Sequence, residues 1–166
     1  MTFGANSKIF SSAMHDAFQR VGNLDADDAN VKCALFNDTP TPNQLDTSAH
    51  NAYAGAGGQW AAGQVTDTGT SAPAGWPTVG RPLAWSTATK ITTFATATLK
   101  YDSDDTVSAN AVTTLAAVFG CLIYDDDATT AVDQGWAYLS FGGTNSVTLG
   151  TFTVVYHANG IMSVAM

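Results

Sequence analysis

The sequence contains no glutamate. All 14 of its acidic residues are Asp, set against only six Lys and Arg, and charged residues make up 12% of the chain. Glu favours helices whereas Asp favours caps and turns, so this imbalance argues against a helical protein. The formal net charge is -8, and the few basic residues are scattered. That excludes a general nucleic-acid surface, because neutralising phosphates requires clustered Lys and Arg. No apolar run is long enough to cross a bilayer, and the first residues lack the apolar stretch of a signal peptide. The expectation is a product made in a cytoplasm, with no membrane partner.

Cysteine is scarce too. Cys33 and Cys121 both fall inside apparent strands, where buried free thiols are a better reading than a disulfide. Catalytic signatures are also missing: there is no Gly-rich phosphate loop with its Lys, no metalloprotease motif and no paired-Cys zinc spacing. His15, His50 and His157 stand in three unrelated contexts without metal-ligand spacing. Asp46 and His50 could pair within a loop, yet no Ser or Cys nucleophile is placed beside them. The sequence therefore assigns no catalytic residue, no metal ligand and no cofactor.

What the chain does have is β-forming character. It is 45% hydrophobic, which argues against disorder, and Thr, which favours strands, and Ala are heavily used. With 166 residues it is one domain by length. Val31–Phe36 reads as a strand with Val31, Cys33 and Leu35 on one face, and Lys32, Ala34 and Phe36 on the other. Thr113 to Tyr124 is apolar on both faces over its later half, as expected of a central strand covered on both sides. Its alternation places Leu115, Ala117, Phe119, Cys121 and Ile123 together. Residues 136–141, 151–156 and 161–165 predict three short strands, with tight turns at Gly142–Asn145 and Asn159–Gly160.

One helix is expected. Ile9, Phe10, Ala13, Met14, Ala17 and Phe18 recur at spacings of three and four, Ser7 is placed to cap the start, and Gly22-Asn23 stops the run. The resulting division is a helical segment or arm over residues 1–24, followed by an antiparallel β domain over 25–166. Long loops occupy 37–64 and 66–82. The fold class is mainly β, an antiparallel sandwich or barrel-like domain with an N-terminal helical segment.

Two features bear on binding. Asp102, Asp104 and Asp105 follow one strand, and Asp125, Asp126 and Asp127 follow another. Neither group matches a full calcium loop, so solvated turns are the favoured reading. Tyr53, Trp60 and Trp76 lie in the small-residue and Pro-rich loops, and Trp85 and Trp136 lie in or beside strands. Loop aromatics either plug satellite cores or anchor a partner, and Tyr53, Trp60 and Trp76 are the candidate contact residues.

Several motifs resemble a known group of proteins. They are Val31-Lys32-Cys33-Ala34-Leu35-Phe36 with Thr41-Pro42-Asn43, Tyr101-Asp102-Ser103-Asp104-Asp105, Phe119 to Asp126, Phe141-Gly142-Gly143, Gly150 to Val154 and Ala158-Asn159-Gly160-Ile161. Together they resemble small virion proteins of tailed bacteriophages, over most of the chain and least between Gln64 and Trp85. The resemblance implies a capsid decoration, or cement, protein that binds the major capsid protein on the outer head surface and stabilises the lattice. It also implies a homo-oligomer, with a homotrimer preferred at local three-fold positions. A tail-associated or head-fibre protein is the nearest alternative, and a carbohydrate-binding module is the alternative of another class.

Overall fold

The computed structural model of the chain describes residues 7–11, 30–45, 52–53, 59–69, 74–84, 98–126, 133–157 and 160–165. Within them lie ten strands: β1 (Lys8–Ile9), β2 (Val31–Phe36), β3 (Gln64–Val65), β4 (Arg81–Pro82), β5 (Thr98–Tyr101), β6 (Thr106–Val107), β7 (Thr113–Asp125), β8 (Gly135–Gly150), β9 (Thr153–Val154) and β10 (Met162–Ala165). A 3-10 turn lies at Gln59–Ala61. Six strands form a sheet in the order β1-β8-β7-β2-β3, with β4 also beside β2. The pairs β5–β10 and β6–β9 are separate two-stranded ribbons, and every pairing is antiparallel.

β2 sits where its sequence demands. It is apolar but for Lys32 and pairs along its whole length with β7, from Val31↔Asp125 to Phe36↔Gly120. Val31, Cys33 and Leu35 enter one core, together with Cys121, Ile123 and Leu139 of the neighbouring strands. Tyr101, Phe152, Val154, Tyr156 and Ile161, from the two ribbons and their flanks, complete that layer. Ala34 and Phe36 enter a second core on the opposite face, with Leu122, Tyr124, Tyr138, Phe10 and Trp60. The sheet centre is thus covered on both sides, and both cysteines are buried and free, as the sequence predicts.

Close approach explains one small residue at this centre. A Cβ on Gly120 would stand 2.3 Å from the Tyr138 hydroxyl oxygen and 2.7 Å from the Leu139 carbonyl oxygen. Only glycine lets the Tyr138 ring cross β7 there.

The expected N-terminal helix is not the structure of residues 7–10. Lys8 and Ile9 form a strand that pairs with Tyr138 and Ala137, and the Phe10 N–H continues the ladder to the Trp136 carbonyl at 3.0 Å. Ile9 is half-exposed whereas Phe10 is fully buried, the opposed orientation that a strand gives to adjacent residues. Ser7, expected as a helix cap, instead accepts a hydrogen bond from the Ser140 N–H at 3.0 Å. Spacings of three and four are satisfied by chance in a short apolar stretch, and an available sheet edge decided the outcome. Ser11 is helical, and residues 1–6 and 12–24 of the expected helical segment lie outside the described residues. The barrel alternative also fails, because the sheet is open, with β1 at one edge and β3 and β4 at the other.

The expected C-terminal meander is replaced by a different connection. β8 runs from Gly135 through Gly150 without a turn at Gly142–Asn145. Gly142, with φ of 73°, is absorbed into a bulge instead. Between the Val118↔Asn145 and Gly120↔Ser140 pairs, β7 advances two residues while β8 advances five. β9 pairs with β6 and β10 with β5, so residues 151–165 do not form a hairpin with one another. A turn does survive, since the Gly160 N–H donates to the His157 carbonyl at 2.7 Å and Gly160 has φ of 88°. It joins two ribbons rather than two paired strands. Asn159 lies outside the described residues.

Candidate functional site

The loop aromatics are turned inward. Trp60, on the 3-10 turn, is buried with its ring centroid 4.9 Å from Phe36, 5.5 Å from Tyr138 and 6.0 Å from Phe10. Trp76 is fully buried in the other core, edge-on to Phe152 at 5.8 Å, and its indole N–H donates to the Cys33 carbonyl at 3.1 Å. Tyr53 is half-buried and stacks on Tyr124 at 4.4 Å. Its hydroxyl donates to the Thr78 carbonyl and accepts from the Gln64 amide at 2.6 Å. The Tyr124 hydroxyl donates to the next carbonyl, Val79, at 2.7 Å. Trp85 lies outside the described residues.

Of the long loop expected over 66–82, the described residues 67–69 and 75–76 are stitched to β7 by one carboxylate. Asp67 accepts hydrogen bonds from the backbone N–H groups of Gly69 at 2.8 Å, Gly75 at 2.6 Å and Thr114 at 2.8 Å. Its own N–H donates to the Trp76 carbonyl at 3.0 Å. This brings Trp76 over the sheet. Hydrogen bonds to a charged acceptor are among the strong ones, so these described segments are held to the body.

The two acidic runs have separate surroundings. Asp102 accepts from the Ser103 N–H at 3.0 Å, and Asp105 accepts from the Tyr156 N–H at 3.2 Å. Asp126 instead forms an ion pair with Lys32, with side-chain exposures of 27% and 18%. Asp133 joins them from the start of β8. Burial raises its carboxyl above the usual range, reinforced by a side-chain hydrogen bond to Asp126 and that residue's charge, and opposed by Lys32. Tyr53 and Tyr124 border the same corner. Burial pushes both phenols up, and the charges of Asp126 and Asp133 add to this. The Tyr53 N–H also donates to the Asp133 carbonyl at 2.8 Å, which ties the loop aromatic to the corner.

The sequence left this corner unassigned, although it held a signal. Lys32 is the one charged residue in Val31–Phe36, on a strand otherwise buried on both faces, and such a charge needs a partner. Its diagonal neighbour across the β2–β7 ladder is Asp126, one step beyond the Val31↔Asp125 pair. Among the described residues no group of three or more His, Cys, Asp or Glu is arranged to hold a metal ion. His157 is exposed, while His15, His50, Asp46 and Asp127 lie outside the described residues.

A different surface lies at the far end of the β7–β8 ribbon. From Gly142 to Gly150, β8 consists of exposed and half-buried positions after leaving the core, and Leu149 is 70% exposed. No residue from Thr106 to Tyr124 or from Gln134 to Met166 is Asp, Glu, Lys or Arg. β1 flanks β8 only at Ala137 and Tyr138, so beyond Ser140 that edge has no neighbouring strand among the described residues. Comparison of the chain with family models, with curated proteins and with solved structures returns no match.

Proposed function

We propose that the chain is a structural protein of a tailed-phage virion, a decoration or cement protein bound as a homotrimer to the major capsid protein on the outer head. The observation that carries this reading is the outer half of the β7–β8 ribbon. It is an uncharged strand edge with no neighbouring strand among the described residues, on a chain of net charge -8, without the Lys or Pro residues that commonly guard such an edge. Such an edge accepts a strand from a partner through main-chain hydrogen bonds, and repetition over a lattice turns modest contacts into avidity. The resemblance of the β2 and β7 segments to small virion proteins supports the same placement.

Trp60 and Trp76 pack inside this chain, so the contact role moves from those loops to the ribbon. A sugar-binding groove built on the same indoles loses its motivation for the same reason. Electron cryomicroscopy of intact particles carrying the protein tests the proposal. Trimers on the outer capsid, contacting it through residues 142–150, are expected; density confined to the tail overturns the assignment.

A further inference from the structure

We propose that one face of the arm built by β6–β9 and the outer half of β7–β8 binds a second copy of this chain. The two ribbons are parts of one antiparallel ladder, since β6 leads into β7 and β8 leads into β9. Val107 pairs with Thr153, the Ser108 N–H donates to the Phe152 carbonyl at 2.9 Å, and Thr113 pairs with Gly150. Thr106 and Val154 are buried, so alternation turns Val107 and Val155 outward. Val112 and Leu149 stand exposed where the two ribbons meet. These four are the majority of the seven large hydrophobic side chains exposed among the described residues. Exposed aliphatics scattered singly need no explanation, but their concentration on one arm marks a contact surface.

The backbone beneath this surface is braced. Leu149, with φ of 50°, donates its N–H to the Thr114 hydroxyl at 3.2 Å, and Ala117, with φ of 57°, donates to the Ser146 hydroxyl at 3.1 Å. Each left-handed residue is thus held by a hydroxyl of the opposite strand, and a surface ordered in advance loses less freedom on binding. Charge identifies the occupant. The chain carries a net charge of -8, yet no Asp, Glu, Lys or Arg falls within residues 106–124 or 134–166. Charged groups that reach the arm are engaged with its backbone. Arg81 Nε donates to the Val107 carbonyl at 3.2 Å, while Asp67 and Asp105 accept from the Thr114 and Tyr156 N–H groups at 2.8 and 3.2 Å. A basic partner is drawn to the aspartates and away from the arm. For an acidic partner, contact at the arm brings no like charges together, and another copy is such a partner, with the same neutral surface to offer. The inference rests on the homo-oligomer of the proposed function and names its contact surface, leaving the main-chain edge of β8 for the capsid protein.

Sedimentation velocity of the purified full chain, without capsid, is the direct test. The wild type is expected to sediment as a multiple of the chain mass, and more completely as salt screens the repulsion between acidic copies. Val107→Asp combined with Val155→Asp should keep the circular dichroism spectrum and sediment as a single chain. Leu149→Ser should raise the concentration needed for assembly about tenfold. Leu45→Asp, at a more exposed position outside the arm, should assemble as the wild type does. A wild type that stays monomeric at its highest soluble concentration overturns the inference, even where particles carry the protein on the outer capsid. Assembly unaltered by the paired Asp substitutions, or lost equally in Leu45→Asp, overturns it as well. Arm-dependent assembly in solution, with density confined to the tail of the particle, leaves this contact standing while the capsid reading falls.

Discussion

The two halves of the β7–β8 ribbon obey different rules. In the inner half, Gly120–Ile123 pair with Ser140–Ala137 in unbroken register, and side chains are buried on both faces. In the outer half, three register shifts fall between Thr113 and Gly120. Positive φ values occur there at Ala117 (57°), Gly142 (73°) and Leu149 (50°). Two of these are not glycine, so the outer half carries backbone strain that the inner half lacks. A one-residue slip in the inner half would move every side chain into the wrong core, and burial on both faces therefore fixes its register. The outer half has one face in water, and bulges there cost little packing while re-aiming Leu115 and Val118 into a single core.

The severest way to break the inner half is to ionise it. Tyr124, Tyr138 and Tyr156 all have their phenols pushed up, with burial the largest cause, and Tyr53 follows the same direction. For a group whose pKa is raised by folding, the stabilisation is complete below the unfolded value, 10.0 for Tyr, and is lost as pH climbs toward the folded one. The fold should hold until about the ordinary phenol range and then unfold as pH rises further. Ultraviolet titration should show these tyrosines ionising together with the loss of circular dichroism. Smooth ionisation of all tyrosines in a folded chain would refute their burial.

Side-chain truncation sharpens the same contrast. Trp76→Ala and Phe152→Ala each remove a ring buried in the first core and should cost about 3–5 kcal/mol in denaturant unfolding. Phe119, which strict alternation places beside Cys121 in the core, is only half-buried because the β7 bulges displace it. Phe119→Ala should therefore cost less, about 1 kcal/mol. Equal losses for Phe119 and Phe152 would mean that the bulges do not form in solution.

The smallest effect tests backbone strain alone. Ala117→Gly relieves a left-handed conformation at an exposed bulge, and stability should stay level or rise by up to about 1 kcal/mol. Ala137→Gly, at a fully buried inner-half position with no positive φ, should instead be destabilising. Matching losses at both sites would remove the distinction between the halves.

These differences also explain what was legible in the sequence. β2 and the later half of β7 were readable residue by residue, because burial on two faces imposes an unbroken apolar run. The free buried cysteines followed from the same pattern. Pairing partners were not readable. Asn159-Gly160 signals a turn but not which strands flank it, and Gly142-Gly143 marks a bulge as readily as a loop. The helix expected over residues 3–21 gives way to a strand at Lys8–Ile9 because the open edge of β8 lies well over a hundred residues downstream, beyond any local pattern. At the candidate site, aromatics in small-residue loops drew notice while Lys32 did not. The carboxylate that draws Trp76 inward, Asp67, makes its bonds to backbone groups, and no side-chain spacing reveals them.

The sheet order has a consequence for the timing of synthesis. β1 is made first yet pairs with β8, and β2 waits for β7, so neither has its main partner until most of the chain has left the ribosome. Folding dominated by such distant pairings is slow, because loop closure comes before any contact can reward it. During that interval Val31–Phe36 is an apolar strand with both faces and one edge in water, a template for association with other nascent chains. Yield in the host should depend on elongation rate and temperature through that one interval, with aggregates forming around β2 whenever β7 arrives late.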